Sequence, residues 1–362
     1  MIGAVTRMWD AIRGTGDAAL TVPAMDGAFM ADTAIETADV LYACAEPDNL
    51  VATSSGVVFS TGGTILRVEQ GGAPVVVEEG DASVTALAAL SDGRVIVARS
   101  GAAPYILGEV GQAPLFPDTK GMTGDITALT VLPDGRVAAT IGAEGLAEAD
   151  WPRDFLKRGS TGSVWVGLPG QAAQRVAKDL AYPNGVVADD DGALVVSLAW
   201  RCALVRVRTG KAPETLLSNL PGYPARITRS ASGGYWLSLF APRNQFIEFV
   251  LREPAYVRRM IAEVDPRYWV TPRLSPEIGP LDPMLEGCTK KGSEIKPWAP
   301  SLSYGMVAHL RPDFHPDSSV QSRANGHRHG IRSAVEADGT LYIASRGGNV
   351  IVTLPTAQET VQ

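Results

Sequence analysis

The stretch AYPNGVVADDDGALVVSLAWRCALVRVRTGKAPETLLSNLPGYPARITRSASGGYWLSLFAPR, residues 181–243, holds one pattern twice. In the first copy the apolar run Gly185-Val186-Val187-Ala188 meets Asp189-Asp190-Asp191-Gly192, and the chain resumes as Ala193 to Leu198. In the second, Ile227-Thr228-Arg229 meets Ser232-Gly233-Gly234 and continues as Tyr235 to Leu239. Asp-Gly and Gly-Gly between short apolar runs rich in β-branched and aromatic residues mark hairpins. A Pro-containing loop leads into each copy, Tyr182-Pro183-Asn184-Gly185 and Gly222-Tyr223-Pro224-Ala225-Arg226. A repeated strand behind a repeated loop places equivalent loop residues on one face of the molecule, and function is expected on that face.

Outward from this stretch the hairpin recurs, with turns at Ser55-Gly56, Asp92-Gly93, Asp134-Gly135, Asp191-Gly192, Gly233-Gly234 and Asp338-Gly339. The turn glycines lie 37, 42, 57, 42 and 105 residues apart, most of them near the ~40–50-residue period of propeller blades. Outer strands are expected at Ile65–Val68, Val164–Gly167, Leu204–Arg208 and Val350–Leu354. The expected fold is all-β, a six-bladed β-propeller over residues 36–362, with residues 1–35 as an N-terminal arm that includes a short helix at 6–13. A strand around 38–43 is expected to complete the sixth blade and close the ring. A two-sheet sandwich is the competing architecture.

Two intervals exceed a blade and read as insertions. Residues 141–163 form a charged loop, with a short helix within it as an option. Residues 241–307, expected between blades 5 and 6, place Phe246, Phe249, Val250, Val257, Met260, Ile261 and Val264 at helical spacing, with Pro254 dividing the run. This segment is expected to pack on the propeller and cap one face. Residues 266–300 are proline-rich and read as irregular loop.

Composition narrows the function. Of 362 residues, 45% are hydrophobic and 20% charged, as a core-forming protein requires; 38 glycines and 25 prolines supply the turns. A net charge of −7 argues against nucleic acid or an anionic membrane as partner. No apolar run reaches the ~18 residues of a membrane span. Cys44, Cys202 and Cys288 are widely spaced and form no CxxC pair, which fits reduced thiols in a cytoplasmic protein rather than a disulfide framework or zinc site. No nucleophile elbow, P-loop, dinucleotide fingerprint or HExxH motif is present. The partner class left is a small-molecule substrate; oligomeric state is not readable.

Tyr182-Pro183-Asn184-Gly185-Val186, Asn219-Leu220-Pro221-Gly222-Tyr223-Pro224, Gly233-Gly234-Tyr235-Trp236, Ala241-Pro242-Arg243, Phe249 to Pro254 and Val257 to Ile261 follow in that order. Together they resemble the strictosidine-synthase-like branch of the gluconolactonase and senescence-marker-protein superfamily over about residues 45–355. The resemblance implies a six-bladed propeller with a site at the mouth of the central channel. In the lactonase and arylesterase members a divalent cation, commonly calcium, sits there on oxygen ligands, where it polarises a carbonyl and activates water.

Carried over residue by residue, Asn184 matches the Asn of the family's Pro-Asn-Gly turn, and Asp48 lies where the family's Pro-Glu acid binds the metal. Asn49 is taken with Asn184 as substrate-binding. Asn-Gly is also a turn dipeptide in its own right. Where the family reads Gly-Tyr-Pro-Asp-Asn-Ile, this chain has Ala225 in place of the metal-binding Asp, followed by Arg226, which should weaken any cation site. Arg226 is expected to pair with Asp48 or to bind a substrate carboxylate. Arg332 stands where the strictosidine synthases have their catalytic Glu, so the condensation reaction is not expected, and Glu336 reads as solvent-facing. His327, Arg328 and His329 occupy the loop before the sixth hairpin; His329 is the candidate base, with His327 and Arg328 as substrate-binding. Trp200 either lines the pocket or packs between blades.

Three functions follow. The first is a hydrolase of small lactones or esters, with Asp48 and Asn184 holding calcium or polarising the carbonyl and Arg226 and His329 at the reacting centre. The second is a metal-independent biosynthetic enzyme forming or cleaving C–N or C–C bonds, with Arg226, Arg328 and His329 recognising an anion. The third is a non-catalytic ligand-binding or scaffold propeller.

Overall fold

The computed structural model describes residues 22–69, 72–109, 111–276, 290–291, 294–295 and 302–356. The helix expected at 6–13, Cys288 and most of the proline-rich run after residue 276 lie outside them.

Six sheets form six blades. Their inner strands are Pro47–Thr53, Val84–Ala89, Ile126–Val131, Pro183–Ala188, Gly222–Arg229 and Ile331–Ala337. Each inner strand touches the next, and the sixth touches the first, so the ring is closed. The strand Asp39–Ala43 pairs antiparallel with Val350–Pro355, Asp39 opposite Thr353, and completes the sixth blade. Five blades have four strands; the second has three among the described residues.

The turn chemistry is repeated as the sequence suggests. In Asp92-Gly93-Arg94 and Asp134-Gly135-Arg136 the Asp carboxylate accepts from the backbone N–H and the guanidinium of the Arg two residues on. Asp189 accepts from the N–H groups of Asp191 and Ala193 and from Arg206. Gly93, Gly135 and Gly192 take φ of 85°, 82° and 73°, which glycine adopts without the Cβ penalty other residues meet.

Blade faces pack on one another through six apolar clusters, one at each interface. Successive side chains of one strand serve opposite interfaces: Val57 and Phe59 point toward the sixth blade and Val58 toward the second. Both faces are covered, and the strands therefore read as continuous apolar runs. Nearer the axis, polar side chains stitch neighbouring blades. Asn49 Nδ2 donates to the Val84 carbonyl, Thr127 to Pro183, Ser197 to Ala225 and Thr228 to Ala334, while the Leu50 N–H donates to Ser333.

The large insertion falls between the second and third strands of the fifth sheet, Tyr235–Pro242 and Met306–Leu310, rather than between blades 5 and 6. It holds helices Gln245–Val250 and Pro254–Glu263, with Pro254 at the first turn of the second, where its missing N–H costs nothing. Ile247, Val250, Val257 and Met260 are buried on the propeller, while Phe246 and Phe249 are exposed. Among the described residues no helix is long and apolar enough to cross a membrane. The described part of the arm docks on the fifth blade: Gln321 donates to the Phe29 carbonyl, its N–H bonds to Asp32, and Ile35 is fully buried.

Candidate active site at the channel mouth

The inner strands bring the leading ends of several blades together around the axis. Asp48 and Asn49 come from the first blade, Asn184 from the fourth, Arg226 from the fifth and Arg332 from the sixth. All five are buried. Arg226 Nη1 lies 3.1 Å from Asp48 Oδ1, and its Nη2 donates to Asn49 Oδ1 and, at 2.8 Å, to the Thr85 carbonyl. Arg332 Nε lies 3.5 Å from Asp48 Oδ2, and its Nη1 pairs closely with Glu148. Arg346 reaches Asp48 at 3.4 Å and Glu148 at 3.8 Å, and Glu46 at the rim at 3.1 Å. Three guanidinium groups thus share two buried carboxylates, with Glu46 as a third carboxylate at the rim.

Burial is the largest influence on Asp48 and on Glu148, and it pushes both carboxyl groups up. The neighbouring guanidinium groups together outweigh it, so both end below the ordinary carboxylate range and remain ionised at neutral pH. Burial also dominates at Arg226, bringing it down to about 10 despite Asp48. Arg332 goes the other way: Glu148 and Asp48 overcome burial and hold it above the usual guanidinium value.

A small cavity adjoins this cluster, lined by Glu148, Tyr182, Asn184 and Arg332 on its polar side and by Trp151, Trp200, Phe240 and Leu274 on its apolar side. Its volume is about 10 Å³, close to the space one water molecule needs. Two buried polar atoms in its wall, Tyr182 Oη and Asn184 Oδ1, have no hydrogen-bond partner. Burial and the nearby Glu148 raise the Tyr182 phenol far above its ordinary value, so it remains an O–H donor. Tyr182 and Asn49 both take left-handed backbone conformations, φ 54° and 59°, uncommon for residues other than glycine. Gly185, beside Asn184, allows a close approach: a Cβ there would lie 2.4 Å from the Ala225 carbonyl oxygen and 2.9 Å from Arg226 Cα.

Asp48, Asn49 and Arg226 therefore converge as the sequence suggests, with Asn184 and Trp200 in the adjoining cavity wall. The loop before the sixth hairpin does not join them. The His329 ring is held by Ser303 at Nδ1, 2.8 Å, and by the Arg323 carbonyl at Nε2, 2.7 Å. Burial, its largest influence, lowers its pKa, and no ring nitrogen is left to act as a base. Arg328 donates to the carbonyls of Ile35 and Ala38 and latches the arm to the sixth blade, while His327 is exposed. Glu336 is also not solvent-facing in the expected sense: it accepts from Trp236, Ser230 and the Ala231 N–H and braces the fifth and sixth blades. Ala225 belongs to the apolar cluster between blades 4 and 5, so Arg226 is the residue facing Asp48. Glu148, Tyr182 and Arg346 were not expected in the site. Glu148 opens the 3-10 turn Glu148–Asp150, ahead of the helix Trp151–Leu156, in a charged interval where no periodicity marks it.

No protein-family model matches the chain. Adipocyte plasma membrane-associated protein from Danio rerio is 29% identical over 93 residues, which span 23% of this chain and 22% of that protein. Among solved structures, a gluconolactonase from Xanthomonas campestris superposes with a TM-score of 0.52 at 16% identity, covering 92% of this chain and 96% of that one. The calcium-binding protein regucalcin from Agrobacterium tumefaciens gives 0.53 at 11% identity, covering 88% and 93%. The two solved structures share the fold with this chain, a six-bladed propeller.

The sequence resemblance implies a divalent cation, and the donors around Asp48 do not fit one. Hard cations take six or more oxygen ligands from carboxylates, amides and carbonyls. Here the Asp48 oxygens face three guanidinium groups, Asn49 Oδ1 accepts from Arg226, and among the described residues no cluster of three or more His, Cys, Asp or Glu is arranged to hold a metal. The thiols lie apart from this chemistry; burial pushes Cys44 up to about 11 and Cys202 up to about 12.

Proposed function

We propose that the protein is a hydrolase of small lactones or esters that polarises the carbonyl with guanidinium and phenol groups instead of a bound cation. The supporting observation is the pair of unpartnered buried atoms, Tyr182 Oη and Asn184 Oδ1, in one cavity wall with the Glu148–Arg332 ion pair. Buried polar groups ordinarily find partners, and a site that leaves two open is organised for a ligand or water. In this reading the substrate carbonyl oxygen accepts from Tyr182 and Arg332, and Asn184 Oδ1 orients a water molecule. Glu148 takes a proton from that water as its oxygen attacks the carbonyl carbon. The tetrahedral oxyanion forms against the Arg332 guanidinium and the Tyr182 O–H, in surroundings where such donors are worth more than in water. Collapse expels the alkoxide, which recovers the proton from Glu148. A substrate must displace Leu274 from the cavity wall to enter.

Hydrolysis of a panel of γ- and δ-lactones and aryl acetates by the purified protein tests the proposal. Activity insensitive to EDTA and lowered at least ~100-fold in Glu148→Gln, the scale of general-base catalysis, is the expected result. Full activity in Glu148→Gln, or its abolition by chelator, would refute it. One observation favours a second reading, a ligand-binding propeller without catalysis: the cavity holds about one water and the insertion contributes Leu274 to its wall. Binding without turnover across the panel would establish that alternative.

A further inference from the structure

On the other side of Trp200 lies a second and much larger pocket, about 550 Å³, between the loops of blades 4 and 5 and the helix Gln245–Val250. Its size is that of a small-molecule site, for which ~300–1,000 Å³ is usual. Four arginines line it, Arg158, Arg201, Arg243 and Arg252, against one carboxylate, Glu248. Glu248 is already engaged by Arg243 at 2.9 Å, and Arg243 also donates to Asn219. The guanidinium groups of Arg158 and Arg201 have no carboxylate or hydrogen-bond partner among the described residues. In a chain of net charge −7, such a concentration of guanidinium groups in one concavity is the reverse of the average surface.

A second observation points to a ligand. Tyr223, in the wall of the pocket, is 1% exposed and its hydroxyl makes no hydrogen bond. Burial pushes its pKa well up, so the group is an O–H donor in need of an acceptor. The aromatic wall is rigid. Phe155 packs edge-on against both Trp200, at 5.1 Å, and Tyr223, at 5.4 Å; Trp200 is anchored by its indole N–H to Asp154. Two uncommitted guanidinium forks, a waiting phenol donor and an aromatic wall match an organic molecule that carries a doubly charged oxyanion, because guanidinium groups bind such oxygens bidentately.

We infer that this pocket is a binding site for a small organic phosphate, separate from the channel mouth. Arg158 and Arg201 hold the phosphate oxygens, Tyr223 donates to one of them, and the organic part lies against Trp200 and Phe155. Trp200 stacks on Tyr182 at 4.4 Å, so the wall that receives this ligand is also a wall of the channel-mouth cavity.

Phenyl phosphate titrated calorimetrically into the full chain tests the assignment. One site per chain is expected, with affinity falling as salt rises. Arg158→Ala/Arg201→Ala should weaken binding at least ten-fold; both side chains are exposed and unpartnered, so the fold is retained. Tyr223→Phe, which removes only the hydroxyl, should weaken it about three-fold. Arg136→Ala, in the exposed turn of the third blade, should leave it unchanged. Absence of binding, an unaltered Kd in the double arginine variant, or loss of binding in Arg136→Ala would each overturn the inference. The titration reads binding alone, so its outcome is independent of whether the mouth hydrolyses lactones.

Discussion

Replacing Arg226 with Met keeps an unbranched apolar stem and removes the guanidinium with its charge and donors. Asp48 then loses its partner at 3.1 Å but keeps Arg332 at 3.5 Å and Arg346 at 3.4 Å. The Thr85 carbonyl and Asn49 Oδ1 lose a donor. Removing one partner of a buried ion pair costs about 3–5 kcal/mol, and the two remaining arginines place this case at the low end, about 3. A stranded carbonyl adds about 1 kcal/mol, for a total near 4 kcal/mol. At roughly 2 °C per kcal/mol for a large domain, Tm should fall about 8 °C in a thermal melt at pH 7. The deficit should shrink in acid, as the native Asp48 is protonated and the pair dissolves. A variant melting within 2 °C of the parent would refute the assignment of Arg226 as the charge that holds Asp48.

Asp48 and Glu148 have folded pKa values below their ordinary 3.8 and 4.5. Their stabilisation is therefore complete above pH ~4.5 and lost as pH falls through the lowered values, and a pH series of urea melts should flatten in Asp48→Asn at the acid end. Gly185→Ala drives a Cβ into the backbone at Ala225 and Arg226, so it should cost about 2–3 kcal/mol in urea denaturation, whereas a residue needed only for a turn would lose less. Arg328→Ala removes the donors to Ile35 and Ala38 and should raise proteolytic cleavage near residues 30–38 several-fold with little change in global Tm.

The six blades were legible because each hairpin announces itself twice, in a turn such as Asp134-Gly135-Arg136 and in apolar runs like Val137–Ile141. The helices flanking Pro254 were legible for the same reason. The site was legible only where a side chain sits on a repeated element. Asp48, Asn184 and Arg226 occupy equivalent ends of inner strands, and their convergence follows from the ring. Glu148 opens a single 3-10 turn without period, and Arg346 begins the turn after the strand Thr340–Ser345, so neither could be placed before the chain was folded. The histidine pair misled for a related reason. Residue type made His329 a plausible base, but its ring nitrogens are committed to Ser303 and Arg323, a matter of tertiary contacts alone.

Closure of the ring has a consequence for the order in which the protein forms. Asp39 pairs with Thr353, 314 residues further along the chain, so during synthesis the first strand leaves the ribosome long before its neighbours in the sixth blade exist. Loop-closure entropy makes such a distant pairing the last and slowest to be rewarded. The first five blades can assemble as an open arc, and the nascent arc would expose the apolar face of the first blade, Val57, Phe59 and Leu66, until the final hairpin arrives to cover it. A chain stalled or truncated before residue 350 would keep that edge open, and a chaperone or a second copy of the arc would find it there.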